Sequence, residues 1–139
     1  MKSRYAPIAK LKKSEMDRSE RTLQQKNADL SNAKKALENA YKSLEDISQP
    51  SAGNINDLLA SRSLLSSQRG LIDHNKDWVN FASNQVEDAK SQFKKDMIEF
   101  EKFKYLEVQE IKKIQNEKKV QEAKELDEIA LMTFGKEYK

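Results

Sequence analysis

His74 is the one histidine of the chain, and Asp73 and Asp77 stand within a helical turn of it. An imidazole and two carboxylates are metal-ligand types. On a single helix they close no pocket, so the trio reads as a solvated polar face. Ser61, Ser63, Ser66 and Ser67 offer hydroxyls. No base stands near them, and no strand–turn–helix context would present one as a nucleophile. No GxGxxG or GxxxxGK(S/T) phosphate cradle occurs. Cysteine is absent, which excludes thiolate catalysis, a disulfide scaffold and the common structural zinc sites. The expectation is a protein that is not an enzyme, with no catalytic residue, no metal and no cofactor.

The elements that would position any site come from composition. The chain has 139 residues, 35% of them charged and 37% hydrophobic. That is too polar to fill a large globular core, and one domain over 1–139 is expected. Only 3 Gly and 2 Pro occur, where average usage would give about 10 and 7. So few breakers point to long helices and against the many turns of a sandwich or barrel. No run approaches the ~18 apolar residues of a membrane span, and no secretory apolar region lies near the start. The chain reads as mature and cytosolic.

The one strong breaker cluster is Ser48-Gln49-Pro50-Ser51-Ala52-Gly53-Asn54. Proline removes a donor and disfavours helix before it, and glycine suits the left-handed conformation that ends a helix. Asn54 is placed to cap a helix starting at Ile55, with Asp57 favourable in its first turn. Pro7 suits a helix start and Gly135 a helix end. The spacing predicts helix 1 over about 4–48, a loop at 49–54, and helix 2 over about 55–134.

Both segments carry heptads. Helix 1 has Met16, Leu23, Leu30, Leu37 and Leu44, interleaved with Ser19, Lys26, Ala33, Ala40 and Ile47. Large Leu alternating with small Ala lets two helices approach closely. Helix 2 has Leu58, Leu65, Ile72, Val79, Val86, Phe93 and Phe100, with Ala82, Ala89 and Phe103 as partners. The series keeps its phase through Gly70, so helix 2 is expected to run unbroken there at a cost of ~1 kcal/mol relative to Ala. Trp78 and Phe81 should widen the apolar face. Beyond Phe103 the seam gives way to a thinner, shifted stripe of Val108, Ile111, Val120, Ala123, Leu126, Ile129, Ala130 and Phe134.

A short loop between two long helices makes an antiparallel hairpin. The expected fold is all-α, a two-helix antiparallel coiled-coil hairpin with helix 2 projecting beyond helix 1. Counting from the loop puts the N-terminal residues opposite about 95–100 and leaves about 35 residues of helix 2 unpaired. An isolated helix of that kind is marginal in water, so the open end has a binding requirement the chain does not fill itself.

Charge adds a direction. Residues 1–48 hold 11 Lys/Arg against 7 Asp/Glu, residues 49–100 hold 6 against 7, and residues 101–139 hold 9 against 9. The positive field at the N-terminal end suits an acidic partner surface. Nucleic acid is not expected, because Glu15, Asp17 and Glu20 break up the basic residues. Insertion of residues 1–13 into a membrane surface is also disfavoured, since Tyr5, Ile8 and Leu11 are too few.

Two short motifs carry a resemblance. The end of helix 2 reads Ala123-Lys124-Glu125-Leu126-Asp127-Glu128-Ile129-Ala130, and the start of the chain reads Leu11-Lys12-Lys13-Ser14-Glu15-Met16-Asp17. These resemble the C-terminal and N-terminal signatures of the flagellar export protein FliJ family. The total length, the loop near one-third of the chain and the longer second helix are similar too. Leu131, Met132, Thr133 and Phe134 follow the C-terminal motif where family members often carry an Arg. The related stalk proteins of injectisomes are the nearest alternative.

The resemblance implies a component of the flagellar type III export apparatus, similar to the central stalk of rotary ATPases. Its open end would enter the hexameric export ATPase, promote assembly and stimulate hydrolysis. Its other implied partners are the cytoplasmic part of the membrane export gate and the export chaperones. The implied location is cytoplasmic, peripheral to the inner face of the cell membrane. By motif match, Leu11, Glu15 and Met16, with Leu126, Asp127, Glu128 and Ala130, are the ATPase-facing candidates. Such a stalk should be a monomer when alone. A generic homodimeric coiled-coil tether is the alternative, with the projecting helix covered by a second copy.

Overall fold

The computed structural model describes residues 3–47 and 53–137. The chain is all-α: two long helices pack against each other as a helical hairpin, and the second is the longer. Helix α1 covers Ala6–Asp46 and α2 covers Ile55–Glu137, 41 and 83 residues. The breakers Ser48, Gln49, Pro50, Ser51 and Ala52 lie outside the described residues. Gly53 is described and does not take the left-handed conformation expected of a helix-ending glycine. It stands ahead of the start of α2, seven residues after α1 has ended.

The helix ends follow their local chemistry. Asn54 Oδ1 accepts from the Asp57 N–H at 2.9 Å, which satisfies one of the unpaired donors at the start of α2. Before α1, Ser3 Oγ accepts from the Tyr5 N–H, and the Ser3 carbonyl accepts from the Ala6 N–H. Pro7 sits in the first turn, where its missing N–H costs nothing. Gly135 lies inside α2, which continues to Glu137. Gly70 is helical as well, and the phase of the seam passes through it.

The contacts group into two units: Asp17–Lys95, and Met1–Met16 with Asp96–Lys139. In the first, the buried apolar residues are Ala33, Ala40, Ile72, Ala82, Val86 and Ala89. Leu23, Leu30, Leu37 and Leu44 of α1, and Leu65, Val79 and Phe93 of α2, are half-buried around them. The heptads therefore form the core, as their spacing requires. The interleaved positions of α2 hold more than alanine. Ser61 and Asn75 are buried and Gln68 is half-buried, at the same seven-residue spacing as Ala82 and Ala89. The Gln68 amide donates to the Ala40 carbonyl at 2.7 Å. Ser61 Oγ is buried without a hydrogen-bond partner. Lys76 Nζ lies 5.8 Å from the centroid of the Tyr41 ring, and hydrogen bonding to Tyr41 raises the Lys76 pKa.

In the second unit, Ala9 and Ser3 are buried, and Met16, Phe100, Phe103, Leu106, Ile111 and Ile114 are half-buried. Lys12 Nζ stands 5.9 Å from the Phe103 ring centroid. Ser3 Oγ donates to Glu110 Oε2 at 2.9 Å, and Arg4 Nε lies 3.6 Å from the same oxygen.

These pairs correct the register counted from the loop. The start of the chain meets α2 at Glu110, not at residues 95–100. The reason is at the other end: Ile55, Leu58 and Leu59 are exposed, and the first buried residue of α2 is Ser61. Pairing thus begins about one heptad later than counting from the loop supposes. Trp78 and Phe81 are also corrected. They flank the seam, but both are exposed rather than packed. A two-helix seam covers only a narrow apolar stripe, and residues beside it stay wet.

Candidate functional site

Past Ile114, every residue of α2 whose side chain is described is exposed. This unpaired stretch is shorter than the roughly 35 residues expected, because the start of α1 reaches further along α2. It is more apolar than its thin heptad stripe suggests. Val120, Leu126, Ile129, Leu131, Met132 and Phe134 all face solvent, with Leu126 at 66% exposure. Thr133 Oγ1 donates to the Ile129 carbonyl one turn back, so its hydroxyl is turned onto the helix.

The motif residues do not share one face. At ~100° per residue, Leu126 and Ala130 fall close together, whereas Glu128 falls on the opposite side and Asp127 between. The N-terminal candidates differ among themselves as well. Leu11 is 58% exposed. Glu15 is half-buried and lies 3.5 Å from Lys12 Nζ, and Met16 is half-buried at a heptad position.

The two candidate groups are not brought together. Lys12, beside Leu11, stands against Phe103. Leu126 lies 23 residues further along α2, about 35 Å at ~1.5 Å per residue. A surface that uses both groups must run along that length of helix.

Nothing in these arrangements suits chemistry. His74, Asp73 and Asp77 are exposed. Among the described residues, no group of three His, Cys, Asp or Glu could hold a metal ion. The grooves are shallow and solvent-lined. One of about 650 Å³ runs past Gln109, Lys112, Asn116 and Val120. Another of about 330 Å³ lies beside Lys26, Asp29, Trp78 and Phe81. Sequence reasoning missed Trp78 and Phe81 as surface residues, and it also passed over Tyr105, exposed at 63%. The seven-residue phase sets Trp78 and Phe81 beside the seam, but it does not tell whether a flanking position is covered.

Among the described residues, no helix is long and apolar enough to cross a membrane. No curated protein and no solved structure matches the chain. One family model does, described as the flagellar FliJ protein, and it matches residues 1–139. The family is a non-catalytic component of the flagellar type III export apparatus, where it serves as the ATPase stalk. With the hairpin, the longer second helix and a match over its whole length, this chain belongs to the FliJ family.

Proposed function

We propose that this chain works as a single-copy stalk that inserts its free helical end into the hexameric export ATPase, promotes ring assembly and stimulates hydrolysis. The observation that carries this reading is the exposed apolar stretch beyond Ile114, ending in Ile129, Leu131, Met132 and Phe134. An isolated helix with such a surface is marginal until it is covered. Leu126, Asp127, Glu128 and Ala130 are its ATPase-facing residues, and Leu11, Glu15 and Met16 supply a second contact. The protein is a monomer when alone. It sits at the inner face of the cell membrane through its partners.

The same chain links the ATPase to the cytoplasmic part of the export gate and to export chaperones. Leu64, Leu71, Trp78 and Phe81 favour a gate contact on the loop-proximal part of α2, because they recur at helical spacing and are exposed. Lys26 and Asp29 of α1 border this shelf.

The test is ATP hydrolysis by the cognate export ATPase, with sizing of the ring, for the full chain and for a chain lacking 123–139. Stimulation and hexamer formation below one copy per ATPase subunit, lost on truncation, support the reading. Full stimulation by the truncated chain overturns the site assignment.

A further inference from the structure

Ser3 lies ahead of α1, yet it is buried, at 3% exposure. Its hydroxyl makes two bonds. Oγ accepts from the Tyr5 N–H at 3.1 Å, which ties down a donor at the start of α1. The same hydroxyl donates to Glu110 Oε2 of α2 at 2.9 Å. Arg4 Nε stands 3.6 Å from that carboxylate oxygen. One carboxylate of α2 therefore holds both Ser3 and Arg4. Arg4, Tyr5, Leu106 and Ile114 border an open groove of about 430 Å³ beside this contact. Leu106 and Ile114 are half-buried, and past Ile114 every described side chain of α2 is exposed. Nearer the middle of α2 the contact with α1 is of another kind. There Ala9 is buried, and Lys12 Nζ stands 5.9 Å from the centroid of the Phe103 ring.

We infer that Ser3, Arg4 and Glu110 form a releasable clasp that sets where α2 becomes a single helix. Closed, the clasp carries the start of α1 as far as Glu110 and keeps Leu106 and Ile114 half-covered. Open, it lets that start lift, and the unpaired stretch of α2 begins toward Phe103, about three turns earlier. The contact suits release. A hydroxyl bonded to a carboxylate is a charge-assisted bond, but it is one bond. The Arg4 side chain is 78% exposed, and an exposed ion pair contributes little by itself. Because both contacts meet at one oxygen, they are lost together when Glu110 moves away. Ser3 also couples the clasp to local order, since the hydroxyl that reaches α2 is the one that bonds the Tyr5 N–H. The clasp belongs to the chain alone and does not depend on the stalk reading.

The experiment is hydrogen exchange of the full chain, without partner, at low and high salt. It reads protection over residues 106–114. The variants are Ser3→Ala, Arg4→Gln, Glu110→Lys, the double variant Ser3→Ala with Glu110→Lys, and the control Glu117→Lys. Circular dichroism checks that each stays helical. The clasp predicts that protection over 106–114 falls about tenfold in Ser3→Ala and in Glu110→Lys, and about two- to fivefold in Arg4→Gln. Residues 65–95 should keep their protection. High salt should lower protection over 106–114 more in the unmodified chain than in Arg4→Gln. The double variant should be no less protected than Glu110→Lys, because a start of α1 that has already lifted has nothing more to lose. Glu117 borders the same groove, so Glu117→Lys applies the same charge change beside the clasp and should leave protection unchanged. Unchanged protection over 106–114 in both Ser3→Ala and Glu110→Lys overturns the clasp. So does an equal loss in Glu117→Lys, which would mean a diffuse field, and so does an equal loss over 65–95, which would mean general destabilisation.

Discussion

The side-chain amide of Gln68 donates to the main-chain carbonyl of Ala40, 2.7 Å away and 28 residues earlier. The acceptor is a carbonyl in the interior of α1, so the bond ties a specific turn of α2 to a specific turn of α1. Ser61 and Asn75, one heptad to either side, are buried polar residues as well. Polar groups at seam positions fix register at some cost in stability. Gln68→Ala removes the donor and the methylene packing together. It should destabilise the hairpin by about 1 kcal/mol, read from the urea midpoint followed by circular dichroism. Ser61→Ala should be neutral or stabilising in the same assay, because Ser61 Oγ has no partner to lose.

Ala33 is 0% exposed, the lowest exposure among the buried seam residues. A larger side chain there has nowhere to go without moving a helix. Ala33→Leu should cost roughly 1–3 kcal/mol through overpacking. Ala28→Leu, on the exposed side of the same helix, should leave the unfolding midpoint nearly unchanged.

Gly70 is helical, and a Cβ built on it meets nothing within 4 Å. Gly70→Ala removes backbone freedom from the unfolded chain and fills only open space. It should stabilise by up to about 1 kcal/mol, a rise of roughly 3 °C in Tm by thermal melting. A fall in Tm would mean that the position does not accommodate a Cβ after all.

Asn54 holds the first turn of α2 through its bond to the Asp57 N–H. Asn54→Ala should cost about 1 kcal/mol, whereas Asn54→Asp should retain the cap. Hydrogen exchange should place the loss in the first turns of α2, where Ile55, Leu58 and Leu59 are already exposed.

Much of this molecule can be read from residue order alone. Leu23, Leu30, Leu37 and Leu44 identify the face of α1 that packs, and Asn54 marks the start of α2 to the residue. The register could not be read the same way. It depends on how many residues α2 spends before it meets α1, and Ile55, Leu58 and Leu59 look as apolar as true seam residues. Trp78 and Phe81 were misplaced for a related reason. Hydrophobicity says what a residue would gain by burial, not whether a second helix is wide enough to cover it. Leu126 and Ala130 are named by motif resemblance, and the structure adds that both are exposed and close together around the helix.

The change at Ile114 from paired to single helix has a mechanical side. Up to that point a bending load is shared by two helices locked through Ala9, Met16, Phe100 and Phe103. Beyond it the load falls on one helix, whose turns are held by their own hydrogen bonds alone, and local opening follows the weakest contacts. The stretch past Ile114 is therefore more compliant than the paired stretch of α2 just before it. Until a partner braces it, local opening should begin in the turns between Gln115 and Phe134.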